Sequence, residues 1–385
     1  PLPAEVEAKL TSLWEAWRDP KKSAQLNFNA ELKKRLNRSE LVSLALAHDR
    51  IGSMSAVGLL LDDKQPLPAP DQDRLLAALE ATHEFEGYQD QYARVVAKDA
   101  AGVTRLVEHS QPAQGRTDMA RVMAICGIKA EASAATPAQR EAGIASLLDL
   151  LGSETDAARM ASNCIQPLNE QSKSGLIQRF SKGDASQPLI QHGMWLLANL
   201  EKGDHTKERQ AIAYKYAEHP QAYGRIAGVS LLRTFGMKSE DQALYRKLLA
   251  DAEPQVRSQL LSTMAEEHPK WSAPLLMLGL EDNLAESVDH AANGLTQLDY
   301  KPAMPKLMAK LKEQYDAKAP IRPMVGNAII QLARLKGHSF AFGAECVQME
   351  PGVHAMIAKD YSAEHRKEAE RLLEWWGSTG KKQKW

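Results

Sequence analysis

Asp251-Ala252-Glu253-Pro254-Gln255-Val256-Arg257 is the stretch on which the fold of this chain turns. It lies between two apolar helical stretches, 243–249 and 260–264. Pro254 suits the first turn of a helix, where its missing N–H has no partner to lose. Asp251 can cap the helix start by accepting from a first-turn N–H. Val256 is placed to point into the seam between the two helices. Arg257 is placed to reach acidic groups of a neighbouring pair.

Weaker copies flank it. Residues 218–225 (EHPQAYGR) precede the apolar stretch 226–235, 281–288 (EDNLAESV) precede the helix through Ala291 and Leu295, and 317–325 (AKAPIRPMV) precede 328–335. From Pro220 through Pro254 and Leu284 to Ile321 the steps are roughly 30–37 residues, the period of a helix pair. Apolar stripes of 3.6-residue period recur upstream too. Examples are Val6, Leu10, Leu13, Trp14 and Trp17; Leu75, Leu76 and Leu79; and Ile144, Leu147, Leu148 and Leu151. Breakers follow the stripes at Pro20, Gly87, Gly152 and, after the Ile226–Val229–Leu232–Phe235 stripe, Gly236. A helix this short has one apolar stripe and cannot bury it alone, so it must pair and then stack. No stretch alternates apolar and polar residues long enough to predict a strand.

The 251–257 run resembles the inter-helix turn of a HEAT repeat, in which D-x-x-P-x-V-R joins the first helix of a pair to the second. The resemblance is clearest over 211–335. It is looser over 71–200, where 99–107, 117–126, 140–151 and 157–168 have helix-pair character without the run. Tetratricopeptide and ankyrin signatures are absent. The resemblance implies an all-α fold, a right-handed superhelical α-solenoid of HEAT-like, armadillo-like helix pairs. Such arrays work through an extended concave face formed by the second helices. On those helices Arg225, Arg257, Gln259, Asp289, Asn293, Asn327 and Gln331 are the candidate contacts, chosen by helix position. The function implied is a non-enzymatic scaffold or adaptor that binds another protein or peptide, with no cofactor and no metal. A second class is enzymatic. Some HEAT-like proteins resemble DNA alkyl-base glycosylases and others chromophore lyases; a glycosylase needs a basic concave stripe with aromatic residues and an acidic group.

Composition favours the first class. Lys plus Arg number 48 and Asp plus Glu 49, a formal charge of −1, which argues against a nucleic-acid partner. Hydrophobic residues at 44% and charged residues at 25% describe a folded chain. A length of 385 residues exceeds one ordinary core and calls for two domains or a repeat array. No apolar run approaches the roughly 18–20 residues that cross a bilayer. Three widely spaced cysteines, Cys126, Cys164 and Cys346, suit buried thiols in a reducing compartment better than a disulfide framework. With Pro1 first and no basic-then-apolar leader, a cytoplasmic location is expected. The expected organisation is an N-terminal helical subdomain (1–61), a proline-rich linker (62–73), the repeat array (74–336), a C-terminal cap (337–376) and a disordered basic tail (377–385).

Enzyme motifs are missing. There is no H-E-x-x-H, no C-x-x-C, no correctly spaced phosphate loop and no dinucleotide fingerprint after a strand. Residues 337–341 (GHSFA) resemble a nucleophile elbow around Ser339, but that elbow needs a strand before it; a helix C-terminus with Gly337 left-handed is the expected state. The stretch 337–352, with His338, Phe340, Phe342, Glu345 and Cys346, is either a cap on the last repeat or a ligand-contacting loop, and the cap is favoured. His354, His365, Glu364 and Glu368 have metal-ligand chemistry, yet the alternating charge run 363–370 fits a solvated helix surface better. Trp375 and Trp376 point in different directions on a helix, so at least one is exposed or covers an edge; both are interface candidates, the alternative being that Trp375 caps the last repeat while Trp376 lies along the surface. Lys21, Lys22, Lys33, Lys34, Arg35 and Arg38 around Phe28 fit a wet helix face better than a phosphate surface.

Overall fold

The computed structural model describes residues 2–48, 50–81, 90–130, 134–153, 156–183, 185–319, 321–340, 344–350, 353–358 and 362–385. Gly87, Pro320, Phe342 and Gly352 lie outside them; of Glu345, Cys346 and His354 only the backbone is described. Contacts divide the chain into two units, Pro1–Leu200 and Glu201–Trp385.

In the first unit, short helices form where a capping residue meets a 3.6-residue apolar period. They are α1 (Ala4–Arg18), α2 (Pro20–Ser23), α3 (Phe28–Arg35), α4 (Arg38–Ala45), α5 (Ser53–Asp62), α6 (Ala69–Glu80) and α7 (Asp90–Val96). After these come α8 (Ala100–Ser110), α9 (Asp118–Ala130), α10 (Pro137–Leu150), α11 (Asp156–Cys164), α12 (Glu170–Lys182) and α13 (Gln187–Ala198). Asn27, Asp99 and Asn169 each accept a first-turn N–H, and Asn37 with Glu40 and Thr136 with Gln139 form reciprocal capping boxes. From α4 onward each even-numbered helix pairs with the odd-numbered helix after it. The odd helices α3 to α13 pack one on the next in one layer, and the even helices α4 to α12 do so in another.

One apolar core runs from Leu2 to Ala135. It crosses the proline-rich stretch, where Leu67 is buried, only residues 63–68 are non-helical and α6 already begins at Ala69. The buried Tyr92 hydroxyl donates to Ala45 O at 2.8 Å, so its polar end is satisfied inside this core. The cysteines depart from the sequence expectation. Cys126 on α9 and Cys164 at the end of α11 are joined in a disulfide, with Cα atoms 5.6 Å apart across 38 residues. Packing of α9 on α11 makes this pair, and linear spacing carries no trace of it.

The second unit opens with α14 (Thr206–Ala217), α15 (Ala222–Arg233), α16 (Gln242–Leu249) and α17 (Pro254–Glu267). α18 (Ala273–Gly279), α19 (Ala285–Gln297), α20 (Met304–Asp316) and α21 (Pro323–Ala333) follow. Each even-numbered helix again pairs with the odd-numbered one after it, and α15, α17, α19 and α21 stack in sequence in one layer. At the decisive turn, Glu253 is extended (φ −82°, ψ 116°), as a residue before proline must be, and Pro254 opens α17. Asp251 Oδ1 accepts Glu253 N at 3.0 Å, and Val256 is fully buried. The α14–α15 pair approaches backbone to backbone at Gly228, where a Cβ would lie 2.2 Å from Ala217 N.

Beyond α21 the chain does what its sequence pattern did not predict. β1 (Ala344–Glu350) and β2 (Val353–Ala358) form an antiparallel ribbon with Ala344 opposite Ala358 and Cys346 opposite Met356. The register shifts between Gln348 and Glu350. A two-stranded ribbon of six or seven residues per strand is too short for a clear alternation signal. α22 (Ser362–Ser378) then packs on α20. Residues 377–385, expected to be disordered, make a 3₁₀ turn at Gly380–Lys382, and Trp385 Nε1 donates back to Gly380 O at 2.9 Å. The chain is all-α in class, with this ribbon as its only sheet among the described residues. No helix among them is long and apolar enough to cross a membrane.

Candidate functional site

The first-turn arginines of the stacked layer meet aspartates of the following turn. Arg225 on α15 donates from Nε to Asp251 Oδ2 at 2.6 Å and from Nη2 to Asp251 Oδ1 at 2.8 Å, while its Nη1 donates to the carbonyls of His219 and Pro220. Arg257 on α17 repeats this one pair later. Its Nε reaches Asp282 Oδ2 at 2.7 Å, Nη2 reaches Asp282 Oδ1 at 3.0 Å, and Nη1 reaches Asp251 O at 2.7 Å. Arg322, just before α21, donates from Nε to both oxygens of Asp289 on α19 at 3.0 Å. The forked guanidinium matches a carboxylate two bonds at a time, so each contact fixes orientation as well as charge. Burial pulls the Asp282 carboxyl up, but the Arg257 hydrogen bond, the Leu284 N–H and the Arg257 charge outweigh it, so it lies below its ordinary value. Asp251 is lowered by the same balance, with Arg225 as partner.

Three of the seven candidate contacts, Arg225, Arg257 and Asp289, are therefore engaged within the unit. Asn327 is also engaged: its Oδ1 accepts Phe340 N at 3.3 Å and its Nδ2 donates to Phe340 O at 3.4 Å, which pins the segment after α21. Gln259 on α17 and Asn293 on α19 are half-exposed, and Gln331 on α21 is exposed. These three amides sit on successive helices of one layer. On α17 the accessible row is Gln255, Gln259, Ser262 and Glu266, opposite the buried Val256, Leu260, Leu261 and Met264. That spacing places the row on the face turned away from the core.

The C-terminal candidates form their own clusters. Trp375 and Trp376 are both half-buried, with ring centroids 6.0 Å apart, and Trp385 lies 6.1 and 6.0 Å from them. The charge run on α22 is not a solvated surface at its centre. His365 and Glu368 are buried; Glu368 accepts from His338 Nδ1 at 2.7 Å and from Arg371 Nη1 at 2.6 Å. The burying partner, His338, lies 30 residues upstream, so local pattern could not reveal it. Ser339 is exposed and is preceded by α21 with no strand before it; the helix ends at the left-handed Arg334 (φ 55°), ahead of the left-handed Gly337 (φ 77°). Among the described residues no three His, Cys, Asp or Glu side chains gather as metal ligands.

Within the basic cluster of the first unit, Lys34 and Arg35 pair with Glu31, Lys22 with Asp19, and Arg38 with Asp63. Phe28 is buried. The sequence reading passed over Lys129 and Arg140, which the fold brings to one cavity between α9, α10 and the start of α12. Their only linear signal is a cation closing an apolar helix and another in the first turn of the next. The sequence matches no protein-family model and no curated protein.

Proposed function

We propose that the chain is a HEAT-like α-solenoid scaffold that binds another protein or peptide along the face of its second helices. The observation that carries this reading is the row of accessible amides, Gln259, Asn293 and Gln331, on the stacked helices α17, α19 and α21. Amides both donate and accept, so such a row can read polypeptide backbone or polar side chains without a fixed charge. The neutralisation of Arg225, Arg257 and Arg322 by aspartates supports a protein partner over nucleic acid, whose phosphates need unpaired cations.

Charge reversal at Arg225 or Arg257 is an unsuitable test, because it breaks the internal ladder. The test uses Q259K/N293K in the full chain and measures affinity for the protein recovered with wild type from its native source. The expected result is a loss of about tenfold or more with unchanged thermal unfolding. Undiminished affinity overturns the reading.

A further inference from the structure

α11 spans nine residues and buries only Ala157, Ala158, Ala161 and Ser162, while its one large apolar side chain, Met160, is half-buried. Among the described residues, every other helix of eight residues or more buries at least one side chain larger than these. An alanine brings one methyl group to a core and a leucine or isoleucine four carbons, so the apolar area holding α11 is small for its length. With these side chains it meets α9, α10 and α13.

Three ties at the C-terminal end of α11 offset this. Cys164 is bonded to Cys126 of α9. Lys129 Nζ donates to the carbonyls of Cys164 and Gln166, which are acceptors at the negative end of the helix. Ile165, directly after the helix, is buried. α9 needs no such help. It buries Met119, Val122, Met123, Ile125 and Ile128, and at Gly127 it lies so close to Ala93 of α7 that a Cβ would meet Ala93 Cβ at 2.5 Å. Breaking the disulfide therefore loosens α11 and leaves α9 in place. An attacking thiolate needs access to one sulfur, and both cysteines are half-exposed.

We propose that the Cys126–Cys164 bond is a redox latch on α11, which a dithiol opens in the folded protein and a disulfide oxidant closes. One thiolate of the dithiol attacks a sulfur of the pair, the S–S bond breaks, and the second thiol of the dithiol resolves the mixed disulfide. Two electrons and two protons pass to the protein. It is left with two thiols and the reductant with a disulfide. α11 then opens locally, while Lys129 still holds its end near α9, so oxidation recovers the pair. The inference is independent of the proposed binding face, which lies in the second unit.

The test treats the full chain with dithiothreitol in the absence of denaturant and reads alkylation by peptide mass together with amide hydrogen exchange. Cys126 and Cys164 are expected to become alkylatable. Exchange across α11 is expected to speed roughly a hundredfold, with α8 and α9 changing by less than about threefold. Re-oxidation with glutathione disulfide should restore slow exchange, and C126S/C164S should show the fast exchange without reductant. A bond that opens only in denaturant overturns the proposal. So does exchange in α11 that reduction leaves unchanged, that speeds equally over α8 to α13, or that stays fast after re-oxidation. Wild type alone decides the matter if the double variant fails to fold.

Discussion

Arg257 grips Asp282 of the following helix pair with two parallel hydrogen bonds, 2.7 and 3.0 Å long, while its third nitrogen holds the turn that precedes its own helix. Both side chains are largely buried, at 12% and 7% exposed. Removing one partner strands the other's charge, which costs more than the pair itself contributes. Arg257→Met is therefore expected to lower unfolding stability by about 2–4 kcal/mol in urea titration, and R257M/D282L to recover part of that loss. A cost near zero for the single variant would show that the ladder orders nothing.

The same pair sets an acid limit. Asp251 and Asp282 have folded-state pKa values below their ordinary value of 3.8. The unfolded chain therefore takes up protons first as pH falls. Stability from these groups is complete above about pH 5, and it drains away below about pH 4 as pH drops through the folded values. Thermal melting between about pH 5 and pH 2.5 should show a steep fall in wild type and a shallower one in D282N. Parallel curves would assign the acid loss elsewhere.

Glycine has opposite meanings at two helical positions. At Gly228 a Cβ would meet Ala217 N at 2.2 Å and Tyr216 C at 2.5 Å, and backbone cannot move aside as a side chain can. Gly228→Ala is expected to cost about 2–3 kcal/mol. Gly58, inside α5, has nothing within 4 Å of that position, so Gly58→Ala should stabilise by about 0.5–1 kcal/mol through helix propensity alone. Denaturant midpoints of the two variants check both signs.

Closing the Cys126–Cys164 loop restricts the unfolded chain. For 38 residues the chain-entropy estimate is about 4 kcal/mol, so reduction should lower the unfolding free energy of the first unit by an amount of that order. Alkylation of the unreduced, denatured chain should modify one of its three cysteines, Cys346, and all three after reduction. Three modified cysteines without reductant would contradict the pairing.

Helix pairing was legible where a proline fixes the start of a helix. Pro254 opens α17, and the stretches expected as helix pairs in 99–168 coincide closely with α8 to α11. Arg257 was legible as reaching toward a neighbour. The same position also made it a candidate contact, because first-turn placement does not say whether an aspartate from the next pair will occupy it. Glu368 was hidden for a related reason: an alternating charge run looks solvated until a distant segment, here His338, covers it. The Cys126–Cys164 bond and the cavity at Lys129 depend on α9 meeting α11 and α10, and such long-range contacts leave no periodic mark in the sequence.

Site-specific photocrosslinking tests the binding face most directly. A photoreactive residue is placed at Gln259, Asn293 or Gln331, and at Lys247 on α16 or Lys312 on α20, whose side chains are exposed on the first helices of their pairs. In the native source, one protein partner should be captured from the three second-helix positions and from neither first-helix position. Capture of that partner only at Lys247 and Lys312, or no adduct at any of the three amide positions, would contradict the account.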